Sequence, residues 1–265
     1  MADGLRPACP DLREAGDGIA GTRRLEELCL NSSAPPGQLL YDGWLLRFSP
    51  GKAKRPRSIN AVYPSKIALA DKIAHCERVY AERELPAIYR ISEHTDPPAL
   101  DALLDSQGYG RFGTTQVRFA SIELAAAEGP GVFDPRPEEW FDMVGELRGS
   151  PVAHRSAHLA RLTALPLAKR FVAIQEAGVT LATGFATLED GYAGLFDVMT
   201  REGARRRGYA RAVVAALLRW AWDQGARHAY LQVEEDNEPA ILLYERFGFR
   251  PVYRYWYRAK AGDAP

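Results

Sequence analysis

The sequence predicts an α/β (α+β) fold built from two similar units. Segments with strand-like and helix-like patterns alternate along the chain, and one succession of segments occurs twice. Residues 96–99 (DPPA) open a predicted helix that ends near a glycine and is followed by a strand, and residues 237–240 (NEPA) open the same succession. At 265 residues the chain is long enough for two ordinary domains.

Composition and charge narrow the class of protein. Hydrophobic residues make up 46% and charged residues 26%, which is typical of a globular chain. The net charge is zero, so the whole molecule has no general attraction for nucleic acid or an anionic membrane. Cys9, Cys29 and Cys76 match neither a disulfide framework nor a metal cluster. Because no signal peptide or membrane span is apparent either, we expect a cytoplasmic protein without nucleic-acid or membrane partners.

The first unit is predicted at residues 22–123, after a flexible tail at residues 1–21 that lacks apolar periodicity. Its predicted elements are a helix at 23–31, a hairpin of strands at 38–48 and 57–63, a helix at 65–84, a strand at 87–92, a helix ending at 108 and a strand at 114–121. The hairpin loop and its flanks contain the basic residues Arg47, Lys52, Lys54, Arg55 and Arg57. These could contact an anion, but a solvated loop is the favoured interpretation.

The second unit is predicted at residues 132–260, after a linker at residues 124–131 (LAAAEGPG). It begins with two helices, and two antiparallel strands follow around the turn Ala177-Gly178. The predicted elements are helices at 137–148, 152–162, 209–224 and 237–247 and strands at 170–176, 179–188, 194–200, 231–235 and 253–257.

The most informative stretch is Met199 to Arg211 (MTREGARRRGYAR), which connects a predicted strand to a predicted helix. Gly208 and Ala210 carry no bulky side chain where the helix opens, so a phosphate can approach the backbone. The free amides and positive dipole of a first helical turn attract anions by about 0.3–1 kcal/mol each. Four nearby arginines add positive charge, namely Arg205, Arg206, Arg207 and Arg211.

A second motif follows in the stretch NEPAILLYERFGF, which contains Asn237, Tyr244 and Gly248. The pattern R-x-x-G-x-A after a strand, followed by N-x-x-A-x-x-x-Y-x-x-x-G-F, resembles the GNAT superfamily of acetyl-CoA-dependent N-acetyltransferases over roughly Phe133 to Arg258. The resemblance implies mixed, mainly antiparallel sheets flanked by helices. It also implies that a small-molecule or protein amine attacks acetyl-CoA directly in a ternary complex, without a metal, in a monomer or homodimer.

The resemblance also implies a role for each matching residue. The backbone of Val198, Met199 and Thr200 would pair with the pantetheine arm, and Asn237 would hydrogen-bond to it. The pyrophosphate would lie against the turn formed by Arg205, Arg206, Arg207, Gly208, Tyr209, Ala210 and Arg211. Tyr244 would protonate the departing thiolate, since a phenol with a pKa of about 10 stays protonated at neutral pH. The alternative for Tyr244 is a packed core tyrosine.

The general base is less well defined. Many family members carry a carboxylate on the strand before the Asn-led helix, but Gln232 stands there in this chain. Glu234 lies on the same strand face and is the first candidate, and Asp197 is the second. Either could instead be an ordinary surface or salt-bridge acid.

The helices at 137–148 and 152–162 would cover the acceptor site, with Gly149, Ser150, His154 and His158 near it. The four-residue spacing of His154 and His158 could suit a metal, but without a third ligand solvated or core histidines are favoured.

The first unit is predicted to be degenerate. Its segment YPSKIALADK lacks the arginine and glycine of the phosphate turn, so we expect it not to bind acetyl-CoA. An alternative to catalysis is a non-catalytic acyl-CoA-binding sensor or scaffold, and Gln232 gives this alternative some weight. A nucleic-acid binder built on the arginine-rich turn is disfavoured by the zero net charge.

Overall fold

The computed structural model describes residues 18–50, 53–124 and 130–263, without the side chains of residues 18–20 and 152–154. The helices are α1 (Gly18–Ser32), α2 (Leu69–Ala81), α3 (Leu100–Ser106), α4 (Pro137–Arg148), α5 (Val152–Ala164), α6 (Tyr209–Asp223) and α7 (Glu238–Glu245). The strands are β1 (Gly37–Tyr41), β2 (Trp44–Phe48), β3 (Ile59–Ala61), β4 (Tyr89–Ser92), β5 (Gly110–Ser121), β6 (Ala168–Glu176), β7 (Val179–Glu189), β8 (Tyr192–Thr200), β9 (His228–Glu234) and β10 (Arg250–Ala259).

Two predicted connecting segments lie partly outside the described residues. Residues 1–17 of the predicted tail are not described, and residues 18–21 belong to α1. Residues 125–129 of the predicted linker are also outside the description. In the part of the chain that is described, no helix is long and apolar enough to cross a membrane.

All ten named strands hydrogen-bond into one sheet, in the order β1-β2-β3-β4-β10-β5-β9-β8-β7-β6. The pairs β3–β4 and β8–β9 are parallel, and the other neighbouring pairs are antiparallel. The predicted fold class, a mixed and mainly antiparallel sheet flanked by helices, is confirmed. The two predicted units share this sheet rather than having one each.

The last strands of the two predicted units are exchanged. Strand β5 ends the first unit in sequence, yet it pairs with β9 of the second. Strand β10 ends the second unit, yet it pairs with β4 of the first. The two exchanged strands also pair with each other. Each half of the sheet therefore depends on backbone hydrogen bonds from the other, and the division at residues 124–131 stays a prediction.

The strand expected at residues 38–48 is instead a hairpin of β1 and β2. Its turn is Asp42-Gly43, where both residues have positive φ, 42° and 82°. This is the geometry of a two-residue hairpin turn, which an Asp-Gly pair favours. A Cβ atom on Gly43 would lie 2.5 Å from the carbonyl oxygen of Tyr63, so a side chain does not fit. The sequence pattern does not indicate this turn, because apolar residues continue on both sides of Asp42-Gly43.

The second half of the sheet has an apolar core on each face. On β9, Ala229, Leu231 and Val233 pack into the core that includes α6 and α7. Tyr230, which points to the opposite face by strand alternation, packs with residues of α1 and α4. The sheet thus separates an α6–α7 face from an α1–α4–α5 face. The first half has its own core around α2 and α3.

A buried ion pair joins α1 to the sheet. The guanidinium of Arg90 on β4 donates both terminal nitrogens to Glu26, with Nη2 to Oε2 at 3.0 Å. Tyr253 on β10 donates to the same carboxylate at 2.5 Å. Burial alone would raise the pKa of Glu26, but the charge of Arg90 holds it below its ordinary value. The pair fixes α1 against strands from both halves.

A carboxylate caps the chain where α2 begins in the first unit. Asp42 accepts hydrogen bonds from the backbone amides of Lys66 and Ile67, each at 2.9 Å. The fully buried Lys72 approaches the same carboxylate at 3.2 Å. The amide of Ile67, followed by other hydrogen bonds and the charge of Lys72, holds the pKa of Asp42 below its usual range. An internal anion therefore occupies the amides before this helix.

Replacing Asp42 by alanine should destabilise the fold. Asp42→Ala leaves two backbone amides and the ammonium of Lys72 without their carboxylate. We expect a lower free energy of unfolding than in wild type, measured by urea denaturation. Asp71→Ala, which removes an exposed carboxylate from the first turn of α2, is the control and should change stability less. Equal stability of Asp42→Ala and wild type would contradict the capping role.

Candidate active site

The parallel strands β8 and β9 pair only along their first halves. Their register runs from Tyr192 opposite His228 to Leu195 opposite Leu231. Beyond Leu195, β8 continues to Thr200 while bonded to β7, and β9 continues to Glu234 while bonded to β5. A gap therefore opens between the two strands toward their carboxyl ends. The backbone of Val198, Met199 and Thr200 borders this gap.

A bulge in β8 lies where the gap begins. The register against β7 shifts between Phe196 and Met199, and Asp197 has a φ of 49° in the left-handed region. A bulge adds a residue to one strand and bends it, and it changes the direction of the following side chains. As a result, the consecutive residues Phe196 and Asp197 both line the same cavity.

The turn predicted to bind phosphate ends at the first residue of α6. Arg206 and Gly208 have positive φ, 62° and 84°. No side chain caps α6 among the described residues, and the amide of Ala212 bonds to the carbonyl of Gly208 at 3.0 Å. The amides that precede Ala212 point toward the N-terminal end of the helix. A Cβ atom on Gly208 would meet nothing within 4 Å, so open space lies over the turn. These features fit a pyrophosphate.

The side chains of this turn divide into two groups. Arg205, Arg206 and Arg207 are exposed. Tyr209 is buried and donates its hydroxyl to Glu176 at 2.7 Å, which fixes the start of α6 against the end of β6. The positive charge is therefore free to meet a ligand, while the aromatic ring anchors the helix.

Asn237 and Tyr244 lie at opposite ends of α7. Asn237 is exposed and caps the helix, accepting from the amide of Ala240 at 3.3 Å. Tyr244 is 8% exposed and packs edge-on against Phe249. Burial, followed by the negative charge of Asp197, raises the pKa of Tyr244 to about 12. The phenol therefore stays protonated at neutral pH.

Gln232 has an unusual environment for an amide. Both its Nε2 and Oε1 atoms are buried, and neither has a hydrogen-bond partner among the described residues. It lies on β9 next to the gap, on the same strand face as Tyr230 and Glu234. A buried amide without partners carries a free-energy cost of about 1–3 kcal/mol, which a bound polar molecule would relieve.

A cavity of about 390 Å³ lies on the α1–α4–α5 face. Its polar lining includes Asp197, His158 and Ser150, and Phe141, Phe185 and Phe196 contribute apolar walls. Its arginines come from three places in the chain, namely Arg55 before β3, Arg148 on α4, and Arg155 and Arg161 on α5.

Asp197 is the electrostatic centre of this cavity. Arg148 donates to its Oδ1 at 2.5 Å, and Nε2 of His158 lies 3.6 Å from its Oδ2. Burial would raise the pKa of Asp197, but Arg148, His158 and Arg55 hold it below its usual value. Burial also lowers the pKa of His158 to about 4, against the attraction of Asp197. At neutral pH Asp197 is therefore charged and His158 is neutral.

The first candidate for the general base, Glu234, lies elsewhere. Its side chain is 60% exposed, and it forms an ion pair with Lys54 at 3.5 Å. It lines a shallow depression with Gly113, Thr114 and Asp236, not the cavity around Asp197. The alternative candidate, Asp197, is the one that lines the cavity.

Sequence reasoning missed most of the cavity's arginines. Arg55 was grouped with a solvated loop, yet it lines the cavity and lies 6.0 Å from the ring of Phe196. Arg47 from the same group is 1% exposed and bonds to the carbonyl of Leu30. Arg148 and Arg161 lie on the two helices expected to cover the acceptor site, which was the available indication.

The structure describes the side chain of only one of the two predicted histidines. His158 lines the cavity, and its ring packs edge-on against Phe141 at 4.8 Å. The side chain of His154 lies outside the described residues. No group of three or more metal-ligating side chains occurs among the residues that are described.

Comparison with known proteins identifies the family. The family model described as "Probable histone acetyltransferase Rv0428c C-terminal" matches residues 20–258. The chain belongs to this family. It is a GNAT-type acetyltransferase, as the resemblance predicted, and nothing in the comparisons favours the non-catalytic alternative.

Curated and solved proteins agree with this family. The acetyltransferase is 29% identical over 252 residues to the "Uncharacterized N-acetyltransferase YobR" of Bacillus subtilis (strain 168), covering 90% of this chain and 98% of that protein. A GCN5-related N-acetyltransferase from Kribbella flavida superposes with a TM-score of 0.69 at 16% identity, covering 91% of this chain and 95% of that one. A tandem GNAT protein from the clavulanic acid biosynthesis pathway superposes with a TM-score of 0.55 at 16% identity, covering 73% and 70%.

Proposed function

We propose that this enzyme transfers the acetyl group of acetyl-CoA to a primary amine by direct attack in a ternary complex. The observation that carries the proposal is the gap between β8 and β9, with the bulge at Asp197 where the gap begins and the uncapped start of α6 after the end of β8. A molecule in the gap has the acceptor cavity on one face of the sheet and α6 and α7 on the other.

Acetyl-CoA is the group that this chain's residues would hold. The amides between Arg206 and Arg211 would bind the pyrophosphate, and Arg205, Arg206 and Arg207 would add charge. The backbone from Val198 to Thr200 would pair with the pantetheine amides as a neighbouring strand does. Asn237 would bond to that arm through its amide nitrogen, because its oxygen already caps α7. Gln232 has a free buried amide for the same molecule.

The chemistry requires two proton transfers. The amine nitrogen forms a bond to the acetyl carbon, the carbon–sulfur bond breaks, and the amine loses a proton while the departing thiolate gains one. Tyr244 would donate to the thiolate, since its pKa of about 12 keeps it protonated. A lysine-like amine with a pKa of about 10.4 costs about 4.6 kcal/mol to deprotonate at pH 7, so a base or a water relay is needed.

Asp197 with His158 is the better placed pair for taking up the amine proton, because both line the cavity that adjoins the gap. Glu234, the first candidate from the sequence, becomes the second in this proposal, on the strand where many family members carry a carboxylate. Its ion pair with Lys54 and its exposure are those of an ordinary surface acid.

We propose one acetyl-CoA site in each chain and a tandem arrangement in which the first unit is degenerate. In that unit, Asp42 occupies the amides of Lys66 and Ile67 just before α2, and its negative charge would repel a phosphate there. Cys29 and Cys76 are buried free thiols, and burial raises the pKa of each to about 12. Such unpaired thiols suit the reducing cytoplasm.

Gly208→Glu should weaken acetyl-CoA binding. The substitution places a negative charge over the phosphate-binding turn and strains a residue with a φ of 84°. Calorimetry should show one site per chain in wild type and at least a tenfold weaker Kd in the variant. Gly108→Glu is the matched control, because Gly108 has a φ of 81° and open space around it in the first unit. Unchanged affinity in a folded Gly208→Glu protein would refute the phosphate site.

Tyr244→Phe should slow turnover while leaving acetyl-CoA affinity nearly intact. General acid catalysis is typically worth about 10²–10⁴-fold, so kcat should fall at least tenfold. The hydroxyl has no protein hydrogen-bond partner among the described residues, so the thermal midpoint should change little. Tyr63→Phe, which removes a hydroxyl bonded to Glu27, is the control and should retain wild-type kcat. Normal turnover of Tyr244→Phe would eliminate the proposed role.

Glu234→Gln should distinguish the two candidate bases. Because Glu234 is exposed and bound to Lys54, we expect kcat/KM of the variant to stay within about threefold of wild type from pH 6 to 9. A loss of tenfold or more, largest at low pH where the free amine is scarce, would return the role to Glu234. Glu235→Gln, which removes the next carboxylate along the chain, is the control.

A further inference from the structure

The charge of the acceptor cavity points to the chemistry of its substrate. Four arginines line it, namely Arg55, Arg148, Arg155 and Arg161, and Asp197 is the single carboxylate among its lining residues. This excess of positive charge is local to the cavity, because the net charge of the whole chain is zero.

Two of these arginines already have anionic or carbonyl partners. Arg148 bonds to Asp197 at 2.5 Å. Arg155 donates Nε to the carbonyl of Ser150 at 3.0 Å, and its Nη1 lies 3.9 Å from the exposed Asp142. The negative charge of Asp197 is thus largely compensated by Arg148.

The other two arginines lack a carboxylate. Among the described residues, no acidic oxygen lies within 4.0 Å of Arg55 or Arg161. The Nη1 atom of Arg161 is buried without a hydrogen-bond partner. Burial lowers the pKa of Arg161 to about 10, with attraction from Asp197 opposing repulsion from Arg55 and Arg148, so it remains charged at neutral pH. Arg55 and Arg161 are thus half-buried cations that share the attraction of one carboxylate, already paired with Arg148, and an anion between them would offset the cost of their burial.

The size and walls of the cavity limit the ligand. A volume of about 390 Å³ is near the lower end of ligand pockets, which typically span roughly 300–1,000 Å³. Phe141, Phe185 and Phe196 offer apolar contacts to a short side chain. Cationic acceptors such as polyamines, aminoglycosides or lysine-rich peptides would add positive charge beside the arginines, and this repulsion disfavours them.

We propose that the acceptor is a small amine that also carries a carboxylate, with this carboxylate held by Arg55 and Arg161 and the amine directed to Asp197 and His158. A guanidinium matches a carboxylate through two parallel hydrogen bonds, and the unpartnered Nη1 of Arg161 supplies a donor. This inference rests on the proposed transfer of acetyl to an amine. The products are the N-acetylated acid and CoA, so no further reactant is required.

Matched pairs of acceptors test the inference. Phenylalanine, glycine and β-alanine are each compared with the corresponding primary amide, and spermidine, kanamycin and a lysine-rich peptide complete the panel. CoA release and product mass give kcat/KM. We expect each acid to exceed its amide by at least tenfold. The amide has the less basic amine and therefore more free base at pH 7, so basicity cannot produce this preference. Equal or better use of amides or polycations would overturn the inference.

Substitutions of Arg55 and Arg161 test whether these two arginines produce the preference for acids over amides. Arg161→Met and Arg55→Met should raise KM for the acid at least tenfold, reduce the ratio of acid to amide, and leave KM for acetyl-CoA nearly unchanged. Arg219→Met is the matched control, because Arg219 is an exposed arginine on α6 away from the cavity. An unchanged acid-to-amide ratio in both folded cavity variants would contradict the assignment.

A binding measurement separates this inference from the proposed function. Calorimetry of each acid and amide with CoA-loaded wild-type protein needs no turnover. If acids bind better than amides and acetyl-CoA is never consumed, the proposed transfer fails while the anion site stands. If acetyl transfer occurs and acids bind no better than amides, the anion site fails while the transferase stands.

Discussion

The divergence of β8 from β9 is the constraint on which the rest of the site depends. Parallel strands that remained bonded to their ends would leave no edge for a ligand backbone to pair with. The bulge at Asp197 ends the pairing, and the outer neighbours β7 and β5 keep each strand in the sheet. The same bulge turns Phe196 and Asp197 together into the cavity. One local irregularity thus lies where the gap begins and positions the carboxylate of the cavity.

The exchange of β5 and β10 supports this geometry. Since β9 is held by β5, a strand from the first unit in sequence, the gap cannot be completed by the second unit alone. The first unit also supplies Arg55 and the serines Ser32, Ser33 and Ser49 to the cavity. The first half of the chain therefore contributes to the cavity, while Asp42 occupies the amides just before its own helix α2. This arrangement is consistent with the proposal that the second unit binds the cofactor and that both units build the cavity.

Sequence patterns predicted local structure well where one interaction dominates. The helix at 137–148 agrees residue for residue with α4, and α6 begins at the predicted Tyr209. Both helices begin at a strong local determinant of structure. Helix α4 begins with a proline, and α6 follows Gly208, which has a positive φ. The hairpin at Asp42-Gly43 was missed because apolar residues continue through it, so periodicity outweighed turn chemistry.

What the sequence by itself determined is the family and the local geometry of the turn proposed to bind the cofactor. Gly208 and Asn237 shape the starts of α6 and α7 within a few residues, and such local requirements are visible as spacing. Only the tertiary structure decided the exchange of strands, the capping of the first unit and the cationic cavity. Arg55 and Arg161 are more than a hundred positions apart in sequence, and their proximity follows from sheet order. No local pattern records a charge excess that arises from long-range packing.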